Sequence, residues 1–372
     1  MALRLVLLGL ATLVSAVVLV RSQKSLRVLP PLWWPWVLWA AWAALSLSWS
    51  VEPARSLKEW QNEVFYTALA LFVCHLAAQA PGAVRPFFLA TTAGTTVACL
   101  SAILAFSQGL EFDPTVGWYG GPQDHSASIL TLMPCALATL WYGGRARWPR
   151  RLIWTTGSLI ALFVISAYAT QNRTVWVGFA LQIAVFAGAL LLRRLGELRT
   201  QLFIALAGSA LIATTATIML RVQAERESTT GAYSMSADPR FTIWPKAIEH
   251  IEQRPLTGYG FGRGLLRDQL RAEANHELAW HAHNLFLDIS LQVGITGVLL
   301  FLVLLAATLR QGLRFAADPS AASAACGIAL IGVLAGMGAR NMTDVLLVRQ
   351  NSLLFWSVIG VLLAWGERWK AR

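Results

Sequence analysis

Charge is what this chain has least of. Only 13% of its 372 residues are Asp, Glu, Lys or Arg, where soluble domains carry about a quarter. That scarcity argues against a water-soluble globule. Acidic residues are fewer still, 19 against 30 Lys and Arg. No Asp-x-Asp pair occurs, so a metal-assisted transfer lacks its usual ligands, and no metal or other cofactor is expected. The four cysteines, Cys74, Cys99, Cys135 and Cys326, all fall inside apolar stretches, which argues against a disulfide framework or a cysteine zinc site. The turn Gly258-Tyr-Gly260-Phe-Gly262 has no Gly-Lys-Ser/Thr and follows no strand, so a phosphate-loop reading is discounted. No internal repeat supports an inverted-repeat transporter.

What the chain has instead is hydrophobic length. It is 56% hydrophobic with a mean hydropathy of +0.55. Apolar runs of about 18 to 25 residues recur, the length that spans a bilayer. Eleven spans are expected: 3–20, 29–48, 62–79, 87–108, 125–143, 152–170, 174–192, 200–220, 283–309, 321–338 and 351–366. The fold class is therefore all-α: a polytopic integral membrane protein of 11 to 12 transmembrane helices with one large helical loop. The first span, preceded only by Arg4 and followed by no small-residue cleavage site, reads as a retained helix. With the N-terminus outside, sixteen Lys and Arg fall in inside segments and six in short outside ones, the bias expected of cytoplasmic loops. The net charge of +11 is then a set of anchors against anionic lipid, not a nucleic-acid surface.

One polar island interrupts this pattern. Residues 221–282 hold eight of the thirty Lys and Arg and are expected on the outer face. They divide the chain into a bundle over 1–220, the loop over 221–282 and completing helices over 283–372. Asp238-Pro239 resembles a helix start. Phe241, Trp244, Ile248 and Ile251 then recur at helical spacing, and Arg254-Pro255 ends that helix. A second helix from about Gly264 is expected to carry Arg263, Arg267 and Arg271 on one face.

Candidate chemistry crowds the outer end. His283 stands at the mouth of a span, on the face of Ser290, Gly294 and Gly297 if the helix has begun. Histidine titrates near neutrality and suits proton transfer. His281, two residues earlier, is then expected to point elsewhere. Arg173 occupies a very short turn between spans, where an arginine is costly unless it snorkels or is paired. Arg240 precedes the loop's apolar stripe. Arg340, Asn341, Asp344 and Arg349 cluster in the last outside loop, where Asp344 can pair with either arginine. Converging arginines of this kind clamp a diphosphate. Gln123, Asp124 and His125 either line a path or cap a helix. Mid-span charges, which a transporter path needs, are nearly absent.

His283-Asn284, nine residues and then Gly294-x-x-Gly297 resemble the signature of bacterial O-antigen ligases, in a superfamily shared with O-antigen polymerases and protein oligosaccharyltransferases. Pro239-Arg240-Phe-Thr-Ile-Trp244, and Arg254-Pro255 through Gly262 with Tyr259 and Arg263, resemble the family's periplasmic loop. Arg173 resembles another family arginine. The family pattern often has a small or polar residue where this chain has Leu300, and it usually has twelve spans. The resemblance implies a membrane glycosyltransferase of the GT-C-like kind, in the bacterial inner membrane with its site facing the periplasm. It would be an O-antigen ligase that passes glycan from undecaprenyl diphosphate to lipid A–core, inverting and without metal. Arg173 and Arg240 would bind the donor diphosphate, and His283 would orient or deprotonate the acceptor hydroxyl. Asn284, Trp244, Tyr259, Arg263, Arg340, Asp344 and Arg349 would bind substrate or support the site. A polymerase joining repeat units on undecaprenyl diphosphate is the alternative. An enzyme acting on protein is disfavoured by the lack of a soluble extension after Trp365.

Overall fold

The computed structural model describes residues 29–80, 82, 84–108, 122–170, 172–193 and 239–370. Among them every regular element is helical. The expected spans 3–20 and 200–220 lie outside the described residues. Helix α1 is Trp33–Leu45, continued by a 3-10 turn, Ser46–Trp49. Then follow α2 (Pro53–Trp60), a π turn (Gln61–Phe65) and α3 (Tyr66–Ala78). The bundle continues with α4 (Val84–Ser107), α5 (Pro122–Arg145), α6 (Arg150–Ala169) and α7 (Arg173–Arg193). The polar island supplies α8 (Arg240–Gln253) and α9 (Arg267–Ala274). The chain then runs through α10 (Leu285–Ala316), α11 (Ala321–Asn341) and α12 (Arg349–Trp369).

Six helices among the described residues are long and apolar enough to cross a membrane: α5, α6, α7, α10, α11 and, within α4, Leu89–Ser107. The expected spans 29–48, 62–79 and 351–366 also form helices, but α1 and α3 are 13 residues each and α12 begins with polar residues. Bare Leu100, Leu104, Ile165, Leu192 and Leu299 on the bundle's outside suit a lipid solvent, in which backbone groups must be satisfied within the helix.

Helix α11 is the hub, packing on α5, α7, α10 and α12. Its small residues allow this. A Cβ on Gly327 would strike the α10 backbone at Gly312 and Ala316, one on Gly332 the Pro134 ring of α5, and one on Gly336 the Gln182 amide of α7. Close backbone approach over small residues drives helix association in lipid, where burying apolar surface gains little.

The island has a small core of its own, built from Ile243, Ala247, Tyr259, Leu266, Leu270, Ala279, Ala282 and Leu291. Its α8 buries Ile243, Ala247 and His250, while Phe241 (64% exposed) and Ile248 (45%) remain bare. The stripe read from the sequence is thus shared between two faces: Ile251 packs inward and Phe241 with Ile248 outward.

Candidate functional site

The short segment Trp280–Asn284 sets the site. Asn284, not His283, caps α10: its side-chain oxygen accepts the Phe286 and Leu287 amides at 2.9 and 3.2 Å, satisfying donors that a helix start leaves open. Its amide nitrogen donates to the Met342 carbonyl at 3.0 Å, tying α10 to the end of α11. His283 therefore lies outside the helix, with a left-handed φ of 46°, a conformation uncommon for a residue with a Cβ and frequent at functional sites. The expected shared face with Ser290, Gly294 and Gly297 does not exist. Gly294 marks instead a break in α10, with φ 71° after a non-helical Val293. The loop Pro255–Gly260 fills that break. Ile295 N–H donates to Pro255 carbonyl (2.8 Å), while Tyr259 and Gly260 N–H donate to the Leu291 and Gln292 carbonyls (2.9 and 2.8 Å).

Ala282 and His283 are not helical, so the helical offset expected between residues two apart does not apply. His281 does not point elsewhere: its ring lies 3.9 Å from that of His283, centroid to centroid. Its Nδ1 accepts the His283 backbone N–H at 2.9 Å. The ring hydrogen of neutral His281 is thereby assigned to Nε2, which faces Asp344 Oδ1 at 4.0 Å. Burial first, then His283 and the charge of Arg263, push the His281 pKa from 6.5 down to about 2, against the pull of Asp344. Arg240, which opens α8, adds its charge in the same direction.

Asp344 is the hub of the charges. Its Oδ1 accepts the Val345 N–H at 2.8 Å and lies 3.5 Å from His283 Nδ1, and its Oδ2 lies 3.7 Å from Arg340. Burial pushes this carboxyl up, but the hydrogen bond from His283 and the charge of Arg340 outweigh it and hold the carboxyl well below the ordinary carboxylate range. His283 Nε2 faces the Leu278 carbonyl at 3.0 Å. A carbonyl only accepts, so Nε2 carries a hydrogen in this arrangement.

From Asp344 a polar chain runs to the other arginine turn. Arg340, 2% exposed, donates to Thr343 Oγ1 (3.2 Å), Ser126 Oγ (3.4 Å) and the Gln123 side-chain carbonyl. The same Gln123 oxygen accepts the Asn172 amide at 2.8 Å. Arg173 follows directly, half-buried at the start of α7, and its guanidinium makes no hydrogen bond or ion pair among the described residues.

The remaining candidates hold the frame. Trp244 Nε1 donates to the Ala282 carbonyl at 2.9 Å, fixing α8 against the histidine segment. Arg263 precedes α9 and does not join Arg267 and Arg271 on a helix face. It lies over the Trp280 ring at 4.6 Å and donates to the Val345 carbonyl at 3.1 Å. Buried Tyr259 donates to Gln253 at 3.1 Å inside the loop core. Arg349 starts α12 with φ 48°, and its N–H donates to Glu63 at 2.6 Å. Asp124 accepts Gln350 and Asn351, each at 2.7 Å, which is bracing between helices. Sequence reasoning missed Asn172, the Leu278 carbonyl and Asp288. The last accepts the Ala282 N–H at 3.3 Å and the Gln292 amide at 2.8 Å.

His281, His283 and Asp344 bring one possible metal ligand each within 4.8 Å of one another. The chemistry of the set fits a cation poorly. Binding through His281 Nε2 needs its lone pair there and a hydrogen on Nδ1, the atom that already accepts an N–H. Arg340, Arg263 and Arg240 add positive charge around it. An anion suits this end of the molecule better.

Fold and site together define a class: an all-α polytopic membrane protein with a histidine–carboxylate pair and arginines gathered at one end of its bundle. Residues 158–302 match the family model described as O-antigen ligase. A Rickettsia prowazekii (strain Madrid E) protein described as a candidate polysaccharide ligase is 38% identical over 84 residues, 20% of this chain and 20% of that protein. The chain thus matches only about a fifth of that relative's length. These two findings support the O-antigen ligase family for this chain. The match ends shortly after Gly294 and Gly297 and includes Arg173, Arg240 and His283.

Proposed function

We propose that this protein is an O-antigen ligase: a metal-independent, inverting glycosyltransferase of the bacterial inner membrane. It moves polysaccharide from undecaprenyl diphosphate to lipid A–core at the periplasmic face. The observation that carries this reading is the continuous polar chain from His283 through Asp344, Arg340 and Gln123 to the turn of Arg173. Arg340 is spent within that chain, and Arg173 and Arg240 are the cations assigned to the diphosphate. Bidentate guanidinium contacts would hold the donor and neutralise the charge that develops as the diphosphate leaves.

The acceptor hydroxyl attacks the anomeric carbon opposite the diphosphate. A carbon–oxygen bond forms to the acceptor, the bond to the diphosphate oxygen breaks, and the configuration inverts. The hydroxyl proton goes to His283 Nε2. For that, Nε2 must first give to solvent the hydrogen that it directs at the Leu278 carbonyl and present its lone pair, with the one remaining ring hydrogen on Nδ1 toward Asp344. Asp344 then holds the tautomer and stabilises the imidazolium, as carboxylates do behind other catalytic histidines. A polymerase that joins repeat units on undecaprenyl diphosphate would use the same groups with a different acceptor.

The test is transfer of labelled glycan from its undecaprenyl-diphosphate donor to lipid A–core by the purified protein in liposomes. Wild type transfers. Arg240→Ala and Arg173→Ala lose transfer while remaining folded, and Arg240→Lys recovers little because an ammonium cannot make the bidentate contact. Full activity of Arg240→Lys would remove the clamp from this mechanism. Transfer only onto a second donor molecule would assign the protein to the polymerases.

A further inference from the structure

At the end of the bundle away from His283, the helices leave an apolar cavity of about 310 Å³ between α4, α5, α6, α11 and α12. The hydroxyls of Thr95 and Thr156 on its wall donate to carbonyls of their own helices at 2.6 and 2.9 Å. Along α5 the lining runs from Leu132 to Tyr142, a rise of about 15 Å at ~1.5 Å per residue. That is the hydrocarbon depth of one leaflet, half of a core of ~30 Å.

The rim of the cavity is aromatic and the flank beside it basic. Tyr142 packs on Trp148 at 5.7 Å and Trp365 on Trp369 at 5.5 Å, all four lining the cavity. Such rings sit at the level of lipid head groups. Arg147, Arg150 and Arg151 flank Trp148. All three are exposed, and their guanidinium groups make no hydrogen bond or ion pair among the described residues. Exposed Lys370 follows Trp369. No Asp or Glu occurs in the sequence between Asp124 and Glu197, and Glu367 of α12, beside the rim tryptophans, accepts the Gln311 amide at 2.8 Å.

We propose that the cavity binds one acyl chain of an anionic phospholipid from the adjacent leaflet, with the lipid phosphate against Arg150 and Arg151. An apolar slot of one leaflet's depth, with aromatic rings at its mouth and unpaired guanidinium groups beside them, matches a chain joined to a phosphate. It matches neither a neutral lipid nor a soluble anion. The bound chain would fill the junction of the hub helix α11 with α4, α5 and α12, as a structural part of the bundle. This inference is independent of the transfer reaction.

Native mass spectrometry of the full chain, released from nanodiscs of equal phosphatidylglycerol and phosphatidylcholine, tests it. Wild type should retain phosphatidylglycerol in about tenfold excess, the direction set by two arginines near an anionic head group. Arg150→Glu/Arg151→Glu, at exposed positions, should bring retention close to equality. Ala136→Phe, which fills the wall, should lower the lipid retained of either kind. Equal retention of both lipids by wild type, or an undiminished excess in the charge-reversed protein, would overturn the proposal. So would a folded Ala136→Phe protein that retains lipid as wild type does. If Ala136→Phe does not fold, the charge-reversed protein decides. With undecaprenyl phosphate added in equal amount, its preferential retention would reassign the cavity to a polyprenyl chain and overturn it likewise.

Discussion

Asp344 touches His283 at 3.5 Å and Arg340 at 3.7 Å, so removing its charge undoes a pair and a buried arginine's partner together. Asp344→Asn should keep the shape and lower turnover by about a hundredfold or more, the usual scale of proton-transfer catalysis. Donor affinity should stay nearly unchanged, since Arg173 and Arg240 are untouched. Steady-state transfer kinetics separate the two effects, and a loss confined to donor binding would contradict the role given to Asp344. His281 makes a prediction about pH. Its folded pKa is about 2 against the usual 6.5. Below about pH 6.5 the unfolded chain therefore binds a proton that the folded chain refuses, and stability falls as pH falls. The slope is on the order of 1 kcal/mol per pH unit at most. Asp344 loses its stabilising charge only at far lower pH, because its folded pKa is depressed. Thermal unfolding in detergent at pH 7.5 and 5.0 should show a clear drop for wild type and a smaller one for His281→Gln. Equal drops would mean that His281 does not stay neutral when folded.

At the scale of elements, the hub contacts of α11 leave no room for side chains. Gly327→Leu should cost roughly 1 to 3 kcal/mol or more, the range for overpacked cores, because the added atoms meet the α10 backbone rather than a side chain that can turn away. Gly338, with nothing within 4 Å of its would-be Cβ, should accept Ala without loss. Unfolding of the two variants side by side checks this. How much of the structure could be read in the sequence also divides by element. Long apolar runs gave α4 to α7, α10 and α11, because in lipid length and apolarity are nearly sufficient to specify a helix. Pro239 and Arg254-Pro255 marked both ends of α8. The boundary at His283 was misread because apolarity shows where a span begins only to within a turn. The signal was present in Asn284, a strong capping residue, which places His283 outside the helix and beside His281. The break at Gly294 was not legible either. Its cause is the distant loop Pro255–Gly260 bonding to the α10 backbone, a contact without local trace.

Across the whole molecule, the polar groups of the His283 end belong to segments far apart in sequence: the turn at 172–173, the start of α5, the island and the last loop. Arg173, Arg240, His283 and Asp344 were each visible as polar residues next to apolar runs. Their connection through Gln123 and Asn172 was not, since only packing around α11 brings those turns together. The same packing spends Arg340 and Arg263 on support, which the sequence left open between support and substrate. The most direct test of the account is the lipopolysaccharide profile, on a gel, of a strain lacking this protein and complemented with wild type, Arg240→Ala or His283→Ala. The account predicts lipid A–core without O-antigen, and accumulated undecaprenyl-linked polymer, in the deletion and in both variants, with a normal ladder only from wild type. A full ladder restored by either variant would contradict the site, and an unchanged profile in the deletion would contradict the function.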